Sequence, residues 1–208
     1  MRKIAESTVR RLSMYLRLLE EFAAQGVGTV SSEALASRGG TTSAQVRKDL
    51  SFFGSFGKRG LGYAVPELVA RLRDILGLER SYRVIVVGAG KIGTALAQYR
   101  GFSERGFRVE AIYDADPEKI GKTRDGVVVR DVRYLGDDLA AGSADIAILS
   151  TPADVAQALA ERLVRGGVRA ILNFAPVQLD LPPSVTVKDV NMALELETLS
   201  YALRQERE

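Results

Sequence analysis

Apolar residues recur at helical spacing through residues 1–80 and then, from Arg83 onward, in short continuous runs that alternate with helical stretches. Between Glu6 and Ala24 the positions Leu12, Leu16, Leu19 and Ala23 form one stripe. Tyr15, Leu18 and Phe22 widen it beyond an ordinary core face, with Arg10, Arg17 and Glu21 on the polar side. Gln25-Gly26-Val27-Gly28 ends this helix. A short helix follows from Ser31-Ser32 to Ala36, and Arg38-Gly39-Gly40 closes it. Thr42-x-x-Gln45 has the capping-box pattern and opens a third helix. Val46, Leu50 and Phe53 make its buried face; Ala44, Arg47, Lys48 and Ser51 lie opposite. Residues 54–65 read as a β-hairpin with Lys58 and Arg59 near its tip, and residues 67–76 as a further helix carrying Leu68, Leu72, Ile75 and Leu76. Residues 77–81 make a linker short enough to couple what lies on either side.

From Arg83 the expected elements are strands at 84–87, 109–113, 127–129, 146–150, 170–174 and 185–187, with helices at 92–99 and 153–164. Such alternation predicts a parallel, doubly wound sheet. The fold class is therefore α/β: an N-terminal winged helix-turn-helix domain over residues 1–80 and a C-terminal Rossmann domain over 81–189. Residues 190–208 form a last helix with Met192, Leu196, Leu199 and Leu203 on one side and Leu194 and Tyr201 on the other. Two readings of it stay open. It is buried between two bodies, one of them in another subunit, with the stripe of the first helix as a partner surface, or it lies on its own sheet with two apolar residues exposed.

The first strand runs into Gly88-Ala89-Gly90-Lys91-Ile92-Gly93 and a helix, and Asp114 ends the second strand. Strand, glycines, helix and acid in that order are the dinucleotide fingerprint. Gly88 makes the tight turn, Gly90 admits a pyrophosphate to the backbone, Gly93 lets helix pack on strand, and the helix N-terminus offers N–H groups. Lys91 suits a phosphate contact. Asp114 suits the adenosine ribose and would repel a 2′-phosphate, favouring NAD(H); the alternative is a turn cap in Asp114-Ala-Asp116-Pro117. Ligands lie beyond the carboxyl ends of such strands, which draws in Thr151, Pro152, Asn173 and Phe174.

Charge divides unevenly. Residues 1–80 hold 13 Lys and Arg against 8 Asp and Glu, whereas residues 81–208 hold 16 against 18. A basic first part suits a polyanion, although chance alone can produce such a split. Gln45, Arg47 and Lys48 near the start of the third helix suit base edges and phosphates in a major groove, and Lys58 and Arg59 suit a wing on the backbone or in the minor groove; a surface helix and a loop are the plainer alternative.

The 208 residues include no cysteine and no histidine. Disulfides, a thiolate nucleophile, Cys-ligated zinc and the commonest general base are thereby excluded. With no acid or base pair and no substrate domain left over, the dinucleotide is expected as an effector and no residue as catalytic. No apolar run suits a membrane span or a signal peptide, so neither membrane nor metal is expected and the location is expected to be cytoplasmic. A dehydrogenase, a CoA or other nucleotide binder and a DNA-binding protein without a sensor are the rival readings.

The segments VRKDLSFFGSFGKRGLGY (46–63), VGAGKIGTALAQYRGF (87–102), YDADPEKIG (113–121) and ILNFAPV (171–177) make the chain resemble the Rex family of redox-sensing transcriptional repressors over nearly its whole length. The resemblance implies a homodimer that exchanges its C-terminal helices and binds palindromic operators on double-stranded DNA. It further implies release by NADH, while NAD+ permits binding. Arg47, Lys48 and Arg59 would contact DNA, residues 88–93 the pyrophosphate, Asp114 the ribose, and Tyr99 the region near the nicotinamide. Family members commonly carry Val-Asp-Leu or Val-Asp-Phe where this chain has Val190-Asn191-Met192, and their Asp pairs with an arginine in the position of Arg17. Asn191 forms no ion pair. Either Asp189 substitutes for it, or the switch rests more on packing than on charge.

Overall fold

The structure is a computed structural model; it describes residues 4–54, 56–57, 61–124, 126–142 and 144–205. Its packing divides into two units, Met1–Arg80 and Ser81–Glu208.

In the first unit α1 (Glu6–Ala24), α2 (Ser32–Arg38), α3 (Ser43–Ser51) and α4 (Val65–Ile75) surround one apolar core. Local chemistry sets the helix ends. The Ser31 hydroxyl accepts the Ala34 N–H at 3.1 Å and the Thr42 hydroxyl the Gln45 N–H at 3.1 Å, so each cap satisfies a donor with no helical partner. Proline in the first turn of α4 needs no N–H there. Leu12, Leu16 and Leu19 of α1 meet Leu35, Val46, Leu50, Leu68 and Leu72. The stripe on α1 is shifted from the expected one: Ala23 is exposed, while Tyr15 and Phe22 are buried in this same core. Its width therefore serves the core of its own unit.

The expected hairpin also differs. β2 (Tyr63–Ala64) pairs antiparallel with β1 (Thr29–Val30), which precedes α2, and among the described residues no strand forms between Gly54 and Gly57. Gly54 and Gly57 have φ of 126° and 77°, which breaks an extended run. A Cβ on Gly57 would strike the Gly62 carbonyl, so the two ends of this loop touch backbone to backbone. Lys58 and Arg59 lie outside the described residues.

Asp49, on α3, is fully buried. Arg11 clasps it through Nε at 2.6 Å and Nη2 at 2.8 Å, Tyr15 donates its hydroxyl at 3.0 Å, Gln45 its amide at 2.8 Å and Thr8 its hydroxyl at 3.4 Å. Burial alone would raise the Asp49 pKa. The bonds from Arg11, Gln45 and Tyr15 outweigh it and leave the carboxyl below its ordinary value. Burial and the adjacent Asp49 push the Tyr15 hydroxyl up to about 12.

In the second unit β3 (Tyr82–Val87), β4 (Phe107–Asp114), β5 (Thr123–Arg124), β6 (Val127–Asp131), β7 (Ile146–Leu149), β8 (Ala170–Asn173) and β9 (Thr186–Asp189) form one sheet in the order β5-β6-β4-β3-β7-β8-β9. All neighbours are parallel except β5 with β6. Without β5 this is the order of the doubly wound dinucleotide fold, with its switch point between β3 and β7. Both faces are covered, which explains the unbroken apolar run of β3: Ile85 and Val87 join one core with Leu139, Leu149 and Leu163, and Val84 and Val86 join another with Ile112 and Ile148. Helices α5 (Lys91–Ala97), α6 (Arg100–Ser103), α7 (Leu135–Ala141) and α8 (Ala153–Arg165) supply the covers. The helix expected at 92–99 is α5, which ends at Ala97; the chain leaves helical geometry at Tyr99 (ψ 104°) before α6, which was not expected. Helix α7 was not expected. Leu135 and Leu139, one turn apart and both buried, were its signal.

Helix α9 (Met192–Gln205) has no buried residue, and Met192, Leu194, Leu196, Leu199, Tyr201 and Leu203 are 55–68% exposed. It does not lie on its own sheet with two residues out. The alternative that required this fails, because apolar side chains are exposed along the whole helix.

Asp49→Ala should destabilise the first unit by about 3 kcal/mol, because it strands donors of Arg11 and Tyr15, as chemical denaturation of the full chain would register. The carboxyl's depressed pKa gives stability that is present above the unfolded value near 4 and is lost as pH falls through the folded one. The Tyr15 contribution has the opposite sign: it is present below the unfolded value near 10 and is lost as pH rises towards about 12. Unfolding midpoints measured across pH should decline on both sides of that window, and Tyr15→Phe should shrink the alkaline limb without abolishing it, because burial and Asp138 push the Tyr113 hydroxyl up to about 12 as well.

Candidate nucleotide cleft and nucleic-acid face

At the switch point the chain turns from β3 into α5 through Gly88, whose φ is 105°. A Cβ there would strike the Ser150 carbonyl. One on Gly93 would strike the Gly88 carbonyl and come within 2.5 Å of the Ser150 hydroxyl, so α5 sits directly against the ends of β3 and β7. The Ser150 hydroxyl donates to the Gly88 carbonyl at 3.0 Å and locks the turn. Gly90 is different: a Cβ would meet nothing within 4 Å, and its backbone is extended. The space beside it is free for a ligand to come against the chain.

That space belongs to a cleft of about 820 Å³ lined by Gly88, Gly90, Asp114, Lys119, Thr151 and Pro152, with Val132, Val155 and Leu159 on its apolar side. The Thr151 hydroxyl oxygen is buried and has no hydrogen-bond partner among the described residues. A buried orphan hydroxyl is costly unless a ligand satisfies it. Asp114 caps its own turn and is also bound to the glycine loop. Its Oδ2 accepts the Ala89 N–H at 2.6 Å, and its Oδ1 accepts the Asp116 N–H at 2.9 Å as a turn cap. Lys119 donates to Oδ2 at 3.2 Å. Burial raises the Asp114 pKa, but the N–H groups of Asp116 and Ala89 and the Lys119 ammonium take it below the ordinary value, so the cleft holds a carboxylate. A dinucleotide fits these residues: an open backbone cradle, an orphan hydroxyl and an ionised acid line one cavity.

The other expected contacts are not all brought to this cleft. Ile92, Asn173 and Phe174 line a second cavity of about 530 Å³ with Asp189, Asn191 and Met192. The buried Asn173 amide is fully engaged: Nδ2 donates to the Val177 carbonyl at 2.9 Å and to Asp189 at 2.8 Å, and Oδ1 accepts the Ala175 N–H at 3.0 Å. It shapes the loop after β8. The Asn191 Oδ1 accepts the N–H groups of Ala193 at 3.0 Å and Leu194 at 3.4 Å, which makes it the cap of α9. Tyr99 is exposed outside both cavities, edge-on to Phe102 at 5.1 Å between centroids. Lys91 is exposed in the first turn of α5. Lys119 and Ser150 were missed by the sequence reading; Lys119 stands only five residues after Asp114.

In the first unit Arg47 and Lys48 are exposed on α3. Arg47 also donates to the Ser32 hydroxyl at 2.9 Å and lies 3.3 Å from Glu33, which ties α3 to α2. Gln45, one turn before Asp49, is half-buried. Arg17 is exposed on α1.

A helix-turn-helix unit and a Rossmann unit with such a cleft, in one chain, define a ligand-responsive DNA-binding regulator. The comparisons agree on both parts. Residues 3–51 match the family model "Putative DNA-binding protein N-terminus", and residues 79–177 the model "CoA binding domain". The redox-sensing transcriptional repressor Rex of Carboxydothermus hydrogenoformans is 46% identical over 98% of each chain, and that of Thermus thermophilus 46% identical over 97% of this chain and 94% of its own. Among solved structures, RSP, a Rex-family repressor, is 40% identical in its complex with β-NAD+ and operator DNA, at a TM-score of 0.94 covering 100% of this chain and 95% of that one. In complex with β-NADH it is 39% identical, at a TM-score of 0.90 covering 100% and 97%. The chain belongs to the Rex family of redox-sensing transcriptional repressors.

Among the described residues no group of His, Cys, Asp and Glu is placed to hold a metal ion, and no helix is long and apolar enough to cross a membrane.

Gly93→Ala should destabilise the second unit by about 2–4 kcal/mol, since the new methyl meets backbone that cannot yield, and thermal melts of the two proteins would measure it. Asn191→Ala should lower the helicity of α9 through loss of about 1 kcal/mol of capping, whereas Asn191→Asp should leave it unchanged, as circular dichroism and amide exchange would record.

Proposed function

We propose that this chain is a homodimeric repressor which binds a palindromic operator on double-stranded DNA through α3 and leaves it when NADH is bound, NAD+ permitting binding. The observation that carries this is the cleft itself, where the Gly90 cradle, the orphan Thr151 hydroxyl and the Asp114 carboxylate meet in a chain of this family. RSP, solved with β-NAD+ and operator DNA and also with β-NADH, supports both ligands and the nucleic-acid partner. The reading assigns residues 1–80 to DNA, 81–189 to NAD(H), and 190–208 to a helix exchanged between subunits. Six exposed apolar side chains on α9 support that last assignment, since a partner subunit would remove them from water. An operator partner supports a cytoplasmic location.

Within the cleft, N–H groups at the start of α5, with Lys91 beside them, receive the pyrophosphate between Gly88 and Gly93. Asp114 accepts the ribose hydroxyls and is held ionised by Lys119 and by the Ala89 N–H, which disfavours a 2′-phosphate. Thr151 and Pro152 bound the cleft beyond β7. NADH and NAD+ differ by one charge and by ring planarity, so residues near the nicotinamide, Tyr99, Thr151 and Phe174 among them, must distinguish the two. Ile92 and Met192 lend that region apolar surface, and Asn173 acts through the loop it shapes. Arg17, Asp189 and Asn191 form the polar part of the switch. On the DNA side Gln45, Arg47 and Lys48 serve the major groove and Lys58 and Arg59 the wing. A hundredfold change in DNA occupancy requires about 2.7 kcal/mol of differential affinity between the two states.

A labelled duplex selected from a random pool, followed by fluorescence anisotropy, tests this. NADH should release it and NAD+ should not, with coenzyme A unable to compete; binding indifferent to both dinucleotides would overturn the reading. Gly90→Val and Asp114→Ala should weaken NADH at least about tenfold while duplex affinity without ligand stays within about twofold. Lys48→Ala should weaken every duplex alike and flatten the salt dependence by about one counterion.

A further inference from the structure

Gln45 is the third residue of α3 and is held at both ends: its backbone N–H by Thr42, and its Nε2 by Asp49 Oδ1 at 2.8 Å. Asp49 is fully buried, and every partner it has is a donor: Arg11 through two nitrogens, Tyr15, Thr8 and Gln45. A carboxylate clasped by a guanidinium offers acceptors only. The nitrogen of the Gln45 amide must therefore face it, because the flipped amide would set two acceptor oxygens against each other. The Gln45 carbonyl oxygen accepts no hydrogen bond among the described residues and is not sealed from solvent. With the nitrogen drawn to a buried partner, the oxygen is the end of the amide left for an outside one.

We propose that Asp49 is a positioning residue that fixes Gln45 as a hydrogen-bond acceptor on the DNA-facing helix, so that the base read there presents an exocyclic amine. In the major groove cytosine offers N4–H and adenine N6–H, whereas guanine and thymine show only acceptors at the matching edge. The inference rests on the DNA-binding reading above. It adds which bases the half-site carries opposite this residue, and why a residue of the protein interior sets that choice. Phosphate contacts by Arg47 and Lys48 would not produce it, since they read no sequence.

Single-base variants of a duplex recovered from a randomised pool by the full-length protein supply the probe, titrated by anisotropy. At one symmetry-related pair of positions the wild type should bind cytosine or adenine about tenfold more tightly than guanine or thymine. Gln45→Ala should flatten that preference to under about threefold and leave the other positions alone. Gln45→Glu, an acceptor only, should keep its sign, and Gln45→Lys, a donor only, should turn it towards guanine. Asp49→Asn frees the Gln45 amide to turn, so it should relax this one position rather than weaken all positions equally. Gln45 is itself only half-buried, and its variants leave Asp49 the two Arg11 nitrogens and the Tyr15 hydroxyl, so that series stands even if Asp49→Asn unfolds. A preference for guanine or thymine at the position that Gln45→Ala flattens, or no such position, overturns the proposal. So does a folded Asp49→Asn with unchanged preference. Failure of the wild type to select any duplex is a different result, and removes the DNA-binding reading together with this one.

Discussion

Gly88, Gly93 and Ser150 leave no room for a side chain at the two glycines, and the rest of the cleft follows from that contact. The Gly88 carbonyl takes the Ser150 hydroxyl, α5 rests against the ends of β3 and β7, and the order of the strands reverses at that point of the sheet. Once α5 is pinned there, the Ala89 N–H is within 2.6 Å of the acid that ends β4. The Asp114 carboxylate thus belongs to the binding loop as much as to any ligand. Gly90 is the one glycine of the three with open space beside it, which separates architectural from ligand-facing glycines by geometry.

The first unit is organised by a buried charge. Five donor groups from α1 and α3 converge on Asp49, so the angle between these helices is fixed by directional bonds as well as by leucine packing. A hydrophobic pair at the same place would pack as well and give comparable or greater stability. It would not orient Gln45. The charge is therefore better understood through what it does to the helix surface than through its contribution to folding.

Periodicity made the two-unit plan, the parallel strands of the sheet and the glycine loop legible, because those features rest on repeating patterns or fixed spacings. Asp49 was not legible: a single Asp between Lys48 and Leu50 has the same appearance whether it faces water or five donors, and its partner Arg11 is 38 residues away in sequence. The pairing of Tyr63–Ala64 with Thr29–Val30 was hidden for a related reason, since two-residue strands carry no alternation and the nearer segment after Phe53 offered a hairpin-like text. Asn173 was read as facing a ligand from its place after a strand. Its three hydrogen bonds turn it inward, and position at a strand end alone does not distinguish these roles.

Asn191 illustrates how one residue can serve two requirements that a substitution then separates. Its side-chain oxygen starts α9 by accepting two backbone N–H groups, and an Asp would do this equally well. The helix start is thus preserved although the negative charge that family members commonly place there is gone. Asp189 does not simply replace it, because its carboxylate already accepts the Asn173 amide at 2.8 Å and so helps to hold the loop after β8. An arginine recruiting Asp189 would have to share that carboxylate with a buried amide, and the coupling would then run through the loop that carries Phe174.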